Sequence, residues 1–488
     1  MNLYLIGHDY RYAAEQMLLT LFPDERPEYP DGRPTGDRAE LRLMSGTKVT
    51  TVTCVLVYHG QTANGRTSVP NGELTDPAEK DRRLQGAVKR AFYRAAMGIG
   101  LPHRPWGMLT GVRPGKLMTP LLAQGLNDAQ AARQFERQYD VSPARADLVV
   151  RTAHATLRAM ESLGSKDVCL YVGIPFCPTR CAYCSFVSQS VEKSMALVPE
   201  FLQALAREIA ATAEAVRKAG LRVVSLYIGG GTPTTLSARQ LDALCTQLAA
   251  AFDLSALREF TVEAGRPDTI TADKLQVLRA HRVDRISVNP QTLDDRVLDT
   301  IGRRHTAQDI YDALRLVRET GGFAVNMDLI AGLPGDTPDG FRATLEQVLA
   351  LAPENVTVHT LSRKRGSNLM AQDAPIPDGA AVGEMLDFAG TVLPRAGYAP
   401  YYLYRQKFMS GGFENVGWTR PGQENLYNIC IMEELCSILA MGGGASTKLV
   451  RPNGGRLERH IDPKYPTEYI ANIDRICAAK AELEAFFQ

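Results

Sequence analysis

Cys177, Cys181 and Cys184 stand at C-x3-C-x2-C spacing in the segment YVGIPFCPTRCAYCSF. Thiolates this close together can wrap one face of a cuboidal iron–sulfur cluster, which ordinarily takes four cysteine ligands. Three ligands leave one metal position open, and an open position is where chemistry occurs. Two other readings stand beside this one. A structural zinc site wants four ligands, usually as two close pairs. Here a fourth close ligand is missing, although Cys169 lies eight residues upstream. A set of buried, unlinked thiols is the third reading. The run YVGIPF before the first cysteine is strand-like. That puts the loop at a strand's carboxyl end, where barrel active sites lie.

Behind that loop the sequence repeats one theme from about residue 166 to 365. Apolar strands CLYVGIPF, VVSLYIGGG, EFTVEAG, DRISVNPQ, AVNMDLIAGLP and NVTVHTLS each end in Gly, Pro or polar residues. Helical stretches such as EFLQALAREIAATAEAVRKA and ARQLDALCTQLAAAF lie between them. Six β/α units in a row predict parallel strands with right-handed crossovers. The fold class is therefore α/β, a partial (β/α)6 barrel, an open relative of the eight-unit barrel. Residues 1–165 read as a small α+β domain of unassigned role. It opens with the strand NLYLIG, includes the strand KVTTVTCVLVYHG, and turns helical from Asp76, with Ser142 as a helix N-cap. Residues 366–488 read as a mixed α/β extension covering the substrate. It contains the aromatic run YAPYYLYRQKF, a helical NICIMEELCSILAM, the run GGGA and a final helix.

The cysteine triplet, its spacing and its position resemble the radical-SAM superfamily. That resemblance implies a [4Fe-4S] cluster whose open iron chelates S-adenosylmethionine (SAM), and cleavage of SAM to methionine and a 5′-deoxyadenosyl radical. Tyr183, before the last cysteine, matches the usual aromatic on the adenine side. Gly230, Gly231 and Thr232, in GGGTPT after the second strand, resemble the family turn that holds the methionine moiety. Glycine there lets the backbone approach a ligand.

Further along, the chain is similar to the oxygen-independent coproporphyrinogen III oxidase group. Tyr171 to Cys177 (YVGIPFC) answers its cluster motif. Glu263 in TVEAGRP, Gln291 in SVNPQTL, Arg303 in IGRRH, Asp328 in NMDLIAGLPGDT and Ser362 in HTLS fall at its SAM-binding positions. A carboxylate such as Asp328 suits ribose hydroxyls, and Arg303 suits bidentate pairing with an anion. Tyr183, Gln291 and Arg303 match positions for a second SAM. The chain differs from the group's main enzyme at Gly173, which replaces a histidine, and at Phe186, which replaces a cysteine. The long N-terminal region and the tail YYLYRQKFMSGGFENVGW resemble the HemZ-type branch.

The resemblance implies oxidative decarboxylation of two propionates of coproporphyrinogen III to vinyl groups, giving protoporphyrinogen IX. The implied partners are a tetrapyrrole substrate and an external electron donor of flavodoxin or ferredoxin type. Arg363, Lys364, Arg365, Arg405, Lys407 and Arg420 are candidate partners for the tetrapyrrole carboxylates. Competing functions are a haem-binding chaperone of the same superfamily, which Phe186 favours, and radical methyl transfer to haem or its ring opening. The chaperone's His-Asn run is replaced here by QENLYN.

Composition is compatible with these readings. The 488 residues exceed one core, and the formal net charge of +1 gives no global field for nucleic acid. The N-terminus lacks a secretory pattern and no run of 18 apolar residues occurs, so a cytoplasmic chain without a membrane span is expected. Nine cysteines, an odd number, favour thiols or metal ligands over disulfides. TGVRPGKL imitates a phosphate loop, but Thr110 and Leu117 break the pattern, and a Gly/Pro turn is the better reading. Cys430 and Cys436, six apart on a predicted helix, read as buried apolar thiols rather than as ligands of a second cluster.

Overall fold

The amphipathic alternation of the first 70 residues builds a four-stranded sheet. Its strands are β1 (Asn2–Ile6), β2 (Arg38–Ser45), β3 (Val49–Tyr58) and β4 (Gln61–Pro70), in the order β1-β2-β3-β4. β1 and β2 are parallel, and the other neighbours are antiparallel. Two helices, Arg11–Leu21 and Pro77–Gly98, pack with the sheet around Leu3, Met17, Leu41, Leu56, Val88 and Phe92. Asp76 caps the second helix by accepting from Glu79 N at 2.8 Å. The structure is a computed structural model. It describes all residues except 33, 112, 180, 185–188, 191–193, 363–374, 407–411, 452–456 and 488; side chains 78, 189 and 190 also lie outside the description.

The chain divides into two compact units, Met1–Val112 with Gly125–Asp147, and Arg113–Gln124 with Leu148–Gln488. Within the expected first domain, residues 113–124 and those from 148 onward therefore belong to the second unit. The stretch imitating a phosphate loop opens the helix Gly115–Ala123, and Lys116 and Arg113 there pair with Glu434. Ser142 precedes the helix Pro143–Ser162 and accepts from Arg145 N at 3.4 Å.

The second unit is organised by an eleven-stranded sheet. Its heart is β5 (Asp167–Ile174), β8 (Arg222–Gly230), β9 (Glu259–Glu263), β10 (Arg285–Ser287), β11 (Ala324–Ala331) and β12 (Asn355–Thr360), all parallel and in chain order. These are the six strands read from the sequence. Continuous apolar runs mark strands buried on both faces. Helices Val198–Lys218, Ala238–Ala251, Ala272–Ala280, Ala307–Thr320 and Pro338–Ala350 fill the connections. Their starts are set by caps: Ser237 with Gln240 and Thr306 with Asp309 form capping boxes, and Thr337 accepts from Gly340 N. A two-residue pairing of β6 (Phe176–Cys177) with β7 (Gln189–Ser190) flanks the cysteine loop.

The C-terminal stretch extends this sheet at both edges. Beyond β12 come antiparallel β14 (Glu414–Thr419) and β13 (Ala399–Arg405). Beyond β5 come parallel β15 (Ser437–Gly442), then antiparallel β16 (Ser446–Leu449) and β17 (Glu458–Ile461). The expected long helix NICIMEELCSILAM is corrected. Helix covers only Leu426–Glu433, Glu434 turns left-handed at φ 57°, and SILAMG becomes the fully buried strand β15. Cys430 and Cys436 thus do not share a helix. The expected single final helix is three short ones, Pro466–Ala471, Ile473–Ala481 and Leu483–Phe487. Among the described residues, no helix is long and apolar enough to cross a membrane.

Candidate active site

The cysteine loop leaves the carboxyl end of β5 and is pinned to the end of β8. Gly231 N donates to Ile174 O at 2.8 Å, and Thr232 N to Phe176 O at 2.7 Å. Gly230 holds φ 109°. A Cβ on Gly231 would stand 2.5 Å from Phe176 O and 3.0 Å from Cys177 Sγ, so this turn requires glycine to seat the first cysteine. Cys177 Sγ lies 3.4 Å from Thr232 Oγ1. Cys184 N donates to Cys181 O at 3.1 Å, which curls the second half of the loop. Ala182 N reaches Ile301 O at 3.0 Å and joins the loop to the segment carrying Arg303.

Two buried guanidiniums face this loop. Arg303 donates to Asn289 O at 2.7 Å and to the Tyr183 hydroxyl at 3.1 Å. Arg266, only 3% exposed, places Nη1 3.5 Å from Cys181 Sγ. Arg266 Nη2 and Arg303 Nε are buried without a hydrogen-bond partner among the described atoms. Beside them, burial and the two guanidiniums push His305 down to about 3, so it is neutral. Buried positive charge with unused donors suits an anionic group in contact with the cysteines.

Alternation along the strands aims a second set of groups at the same end. Glu263, the last residue of β9, accepts from Tyr227 Oη at 2.5 Å. Burial, aided by the charge of Asp328, pushes its carboxyl up to about 7 against the hydrogen bond from Tyr227. A Cβ on Gly229 would stand 2.9 Å from Glu263 Oε2. On β11, Asp328 accepts from Asn326 Nδ2 at 2.8 Å and lies 3.8 Å from His359 Nε2 on β12. Burial would raise its carboxyl, but His359, Asn326 and Thr357 together hold it below the usual range. Gln291 has φ 67° and bridges to β11 through Gln291 N to Asp328 O at 2.9 Å and Ile330 N to Gln291 O at 3.0 Å. Positive φ in a residue other than glycine, asparagine or aspartate is uncommon and concentrates at functional sites.

The fold thus brings Cys177, Cys181, Cys184, Tyr183, Gly230, Gly231, Thr232, Glu263, Gln291, Arg303 and Asp328 to the carboxyl ends of the parallel strands. Tyr171 sits deeper on β5, its ring stacked with Tyr227 at 6.1 Å and Tyr427 at 6.0 Å. Ser362 lies just beyond β12. Phe186, Arg363, Lys364, Arg365 and Lys407 lie outside the described residues. Arg405 is at the right end of its strand, but its guanidinium is buried and donates to Gly412 O at 2.6 Å. Arg420 is removed from the mouth. It lies over the Tyr398 ring at 5.2 Å and donates to Glu354 O, beside the amino-terminal end of β12. Sequence reading missed Arg266, Tyr227 and Asn289. Tyr227 was legible in principle, because it shares a strand face with Gly229; Arg266 carried no signal beyond standing three residues after Glu263.

The spacing of the loop sulfurs also bears on the metal. Among the described residues, the set of three potential ligands with donor atoms all within 4.8 Å of one another is Cys169, Cys430 and Cys436, not the loop triplet. Wider spacing suits a cuboidal cluster, whose thiolates sit on three different irons, better than one ion. The glycine cradle, the spread sulfurs and the unused guanidinium donors fit a [4Fe-4S] cluster with an anionic ligand.

The chain is similar to several known proteins. Residues 171–348 match the radical SAM superfamily. The chain is 39% identical over 389 residues to the oxygen-independent coproporphyrinogen-III oxidase-like protein HemZ of Bacillus subtilis, covering 78% of each. It is 30% identical to the haem chaperone HemW of Lactococcus lactis, over 64% of this chain and 78% of that one. Among solved structures, coproporphyrinogen III oxidase HemN of Escherichia coli, a radical SAM enzyme, superposes with a TM-score of 0.52 at 25% identity. That match covers 66% of this chain and 72% of that one.

Proposed function

We propose that this chain, which belongs to the radical SAM coproporphyrinogen-III oxidase-like family, oxidatively decarboxylates two propionates of coproporphyrinogen III to vinyl groups, giving protoporphyrinogen IX. The observation that carries this reading is the gathering of three spread cysteines, two buried arginines and two carboxylates at one end of the parallel sheet. When bound and given one electron by an external donor, a [4Fe-4S] cluster and SAM would supply the 5′-deoxyadenosyl radical that removes one hydrogen atom from the propionate β-carbon. Loss of carbon dioxide and one electron to an external acceptor then completes each vinyl group.

The protein's own part is binding and orientation. Cys177, Cys181 and Cys184 would hold the cluster as thiolates. Gly229, Gly230 and Gly231 leave room for the amino-acid end of SAM, and Glu263 accepts hydrogen bonds from its ammonium group. Asp328, kept ionised by His359, takes the ribose hydroxyls. Arg303 holds Tyr183 in place, and Arg266 offsets the negative charge of the cysteine sulfurs.

The second reading is a haem-binding chaperone, favoured by the HemW relatives and by Phe186 in the cysteine loop. Anaerobic incubation of the reconstituted protein with reductant, SAM and coproporphyrinogen III separates the two. Product lighter by two carboxyl groups, with stoichiometric 5′-deoxyadenosine, supports the dehydrogenase. Deoxyadenosine without vinyl product removes this substrate. Stable one-to-one haem binding without SAM turnover supports the chaperone.

A further inference from the structure

Six of the nine cysteines fall into two triplets. One is the loop triplet; the other is Cys169, Cys430 and Cys436. Cys54, Cys245 and Cys477 are in neither. The second triplet is assembled from three elements distant in sequence. Cys169 is on β5, Cys430 on the helix Leu426–Glu433, and Cys436 just before β15. The left-handed turn at Glu434 doubles the chain back, so that Cys436 returns toward the helix it has just left. Parallel pairing of β15 with β5 sets Cys169 opposite Ile438, two residues beyond Cys436. All three sulfurs lie within 4.8 Å of one another, and Cys169 and Cys436 are 3.6 Å apart.

The surroundings are apolar. Exposures are 0% for Cys169, 0% for Cys430 and 7% for Cys436, within a cluster containing Ala155, Val224, Tyr401, Tyr427, Ile429 and Ile438. The charged groups acting on these sulfurs are the carboxylates of Glu259 on Cys430 and Asp167 on Cys436. Glu259 is already engaged by Leu426 N, Tyr427 N and Ser225 Oγ, and Asp167 by Arg222. Neither is free to act as a further ligand. Among the described residues the potential ligands gathered here are thus all sulfur, which selects soft cations over magnesium or calcium. Zinc–sulfur bonds of about 2.3 Å put tetrahedral sulfurs roughly 3.8 Å apart, close to the shortest separation here. Three sulfurs this close leave room for one ion and none for an iron–sulfur cube.

We propose that Cys169, Cys430 and Cys436 form a second metal site, binding one thiophilic d10 cation, zinc(II) or copper(I), through three thiolates. Binding exchanges three S–H protons for the cation, so affinity falls as pH falls. The ion ties the first barrel strand to the C-terminal stretch. Its effect reaches the reaction end through β15, whose trailing glycines pack on the cluster loop's base. A Cβ on Gly443 would stand 2.6 Å from Pro175 Cγ, and one on Gly442 would overlap Gly173 O.

The test uses the full chain carrying Cys177→Ala, Cys181→Ala and Cys184→Ala, which removes the other thiolate site. The protein is reduced anaerobically, offered zinc(II) or copper(I) separately, desalted and measured by elemental mass spectrometry. One equivalent of either metal is expected, and which metal is retained identifies the ion. The same background with Cys430→Ser loses it. Thiol alkylation read by peptide mass provides a second measurement in the unsubstituted chain. With urea titrated in, Cys169, Cys430 and Cys436 should become reactive together, and at lower urea when a chelator is added. Retention of neither metal by protein in which Cys169, Cys430 and Cys436 are all still reduced overturns the proposal. A Cys169–Cys436 disulfide in anaerobic material overturns it too.

Discussion

Replacing Glu263 by glutamine separates the charge of this carboxylate from its shape. Its carboxyl stands at about 7, against an ordinary 4.5. A gap of that size corresponds to about 3 kcal/mol held against the charged form. The side chain is half-buried and partly screened by solvent, which trims the figure to about 1–2 kcal/mol. The folded protein holds a proton that the unfolded chain has released between these two values. Stability therefore falls as pH rises through that window, and the full penalty persists above about 7. Glu263→Gln has no such titration. In cofactor-free protein the variant should be about 1–2 kcal/mol more stable than wild type near pH ~8, with the difference shrinking toward zero near pH ~5. Denaturant unfolding at the two pH values reads this directly. SAM binding should move the opposite way. Losing a charge-assisted hydrogen bond costs about 1.5–3 kcal/mol, or roughly 10- to 150-fold in affinity at the higher pH. An equal stability change at both pH values, or a loss near pH ~8, would refute the claim that burial penalises this carboxylate.

Arg266→Gln removes the guanidinium 3.5 Å from Cys181 Sγ and with it positive charge that favours the reduced cluster. The reduction potential should fall by on the order of 50 mV in an EPR-monitored titration, and an unchanged potential would place this charge outside the cluster's influence. Gly231→Ala forces a methyl against Phe176 O and Cys177 Sγ, so reconstituted protein should carry fewer irons per chain while keeping its far-ultraviolet spectrum. Lys480, 5% exposed, reaches Glu208, 0% exposed, at 2.7 Å. Lys480→Met strands that buried carboxylate and should cost about 3–5 kcal/mol in urea unfolding of the second unit.

The six central strands were legible because each is a short apolar run closed by glycine, proline or a polar residue, with capped helices between them. The cysteine loop was legible because its ligands are local. β15 was not, since SILAMG continues the apolar spacing of the helix before it and periodicity alone does not tell the two apart. Its break is made by Glu434 in a left-handed turn, a position usually marked by glycine or asparagine. The pairing of Cys169 with Cys436 spans 267 residues and leaves no local trace. Arg266 reaches the loop only through the curvature of the chain after β9, which residue spacing does not encode.

The placement of β15 sets a timetable for biosynthesis. β5 emerges early from the ribosome, yet the partner for one of its edges is made only after some 260 further residues, at Ser437–Gly442. Until then a growing chain carries an open strand edge beside its cysteine loop, a template for pairing with neighbouring nascent chains. Iron delivery to the loop before release would meet a half-closed sheet. Stalled or truncated products lacking β15 are accordingly the species that chaperones and proteases should intercept first.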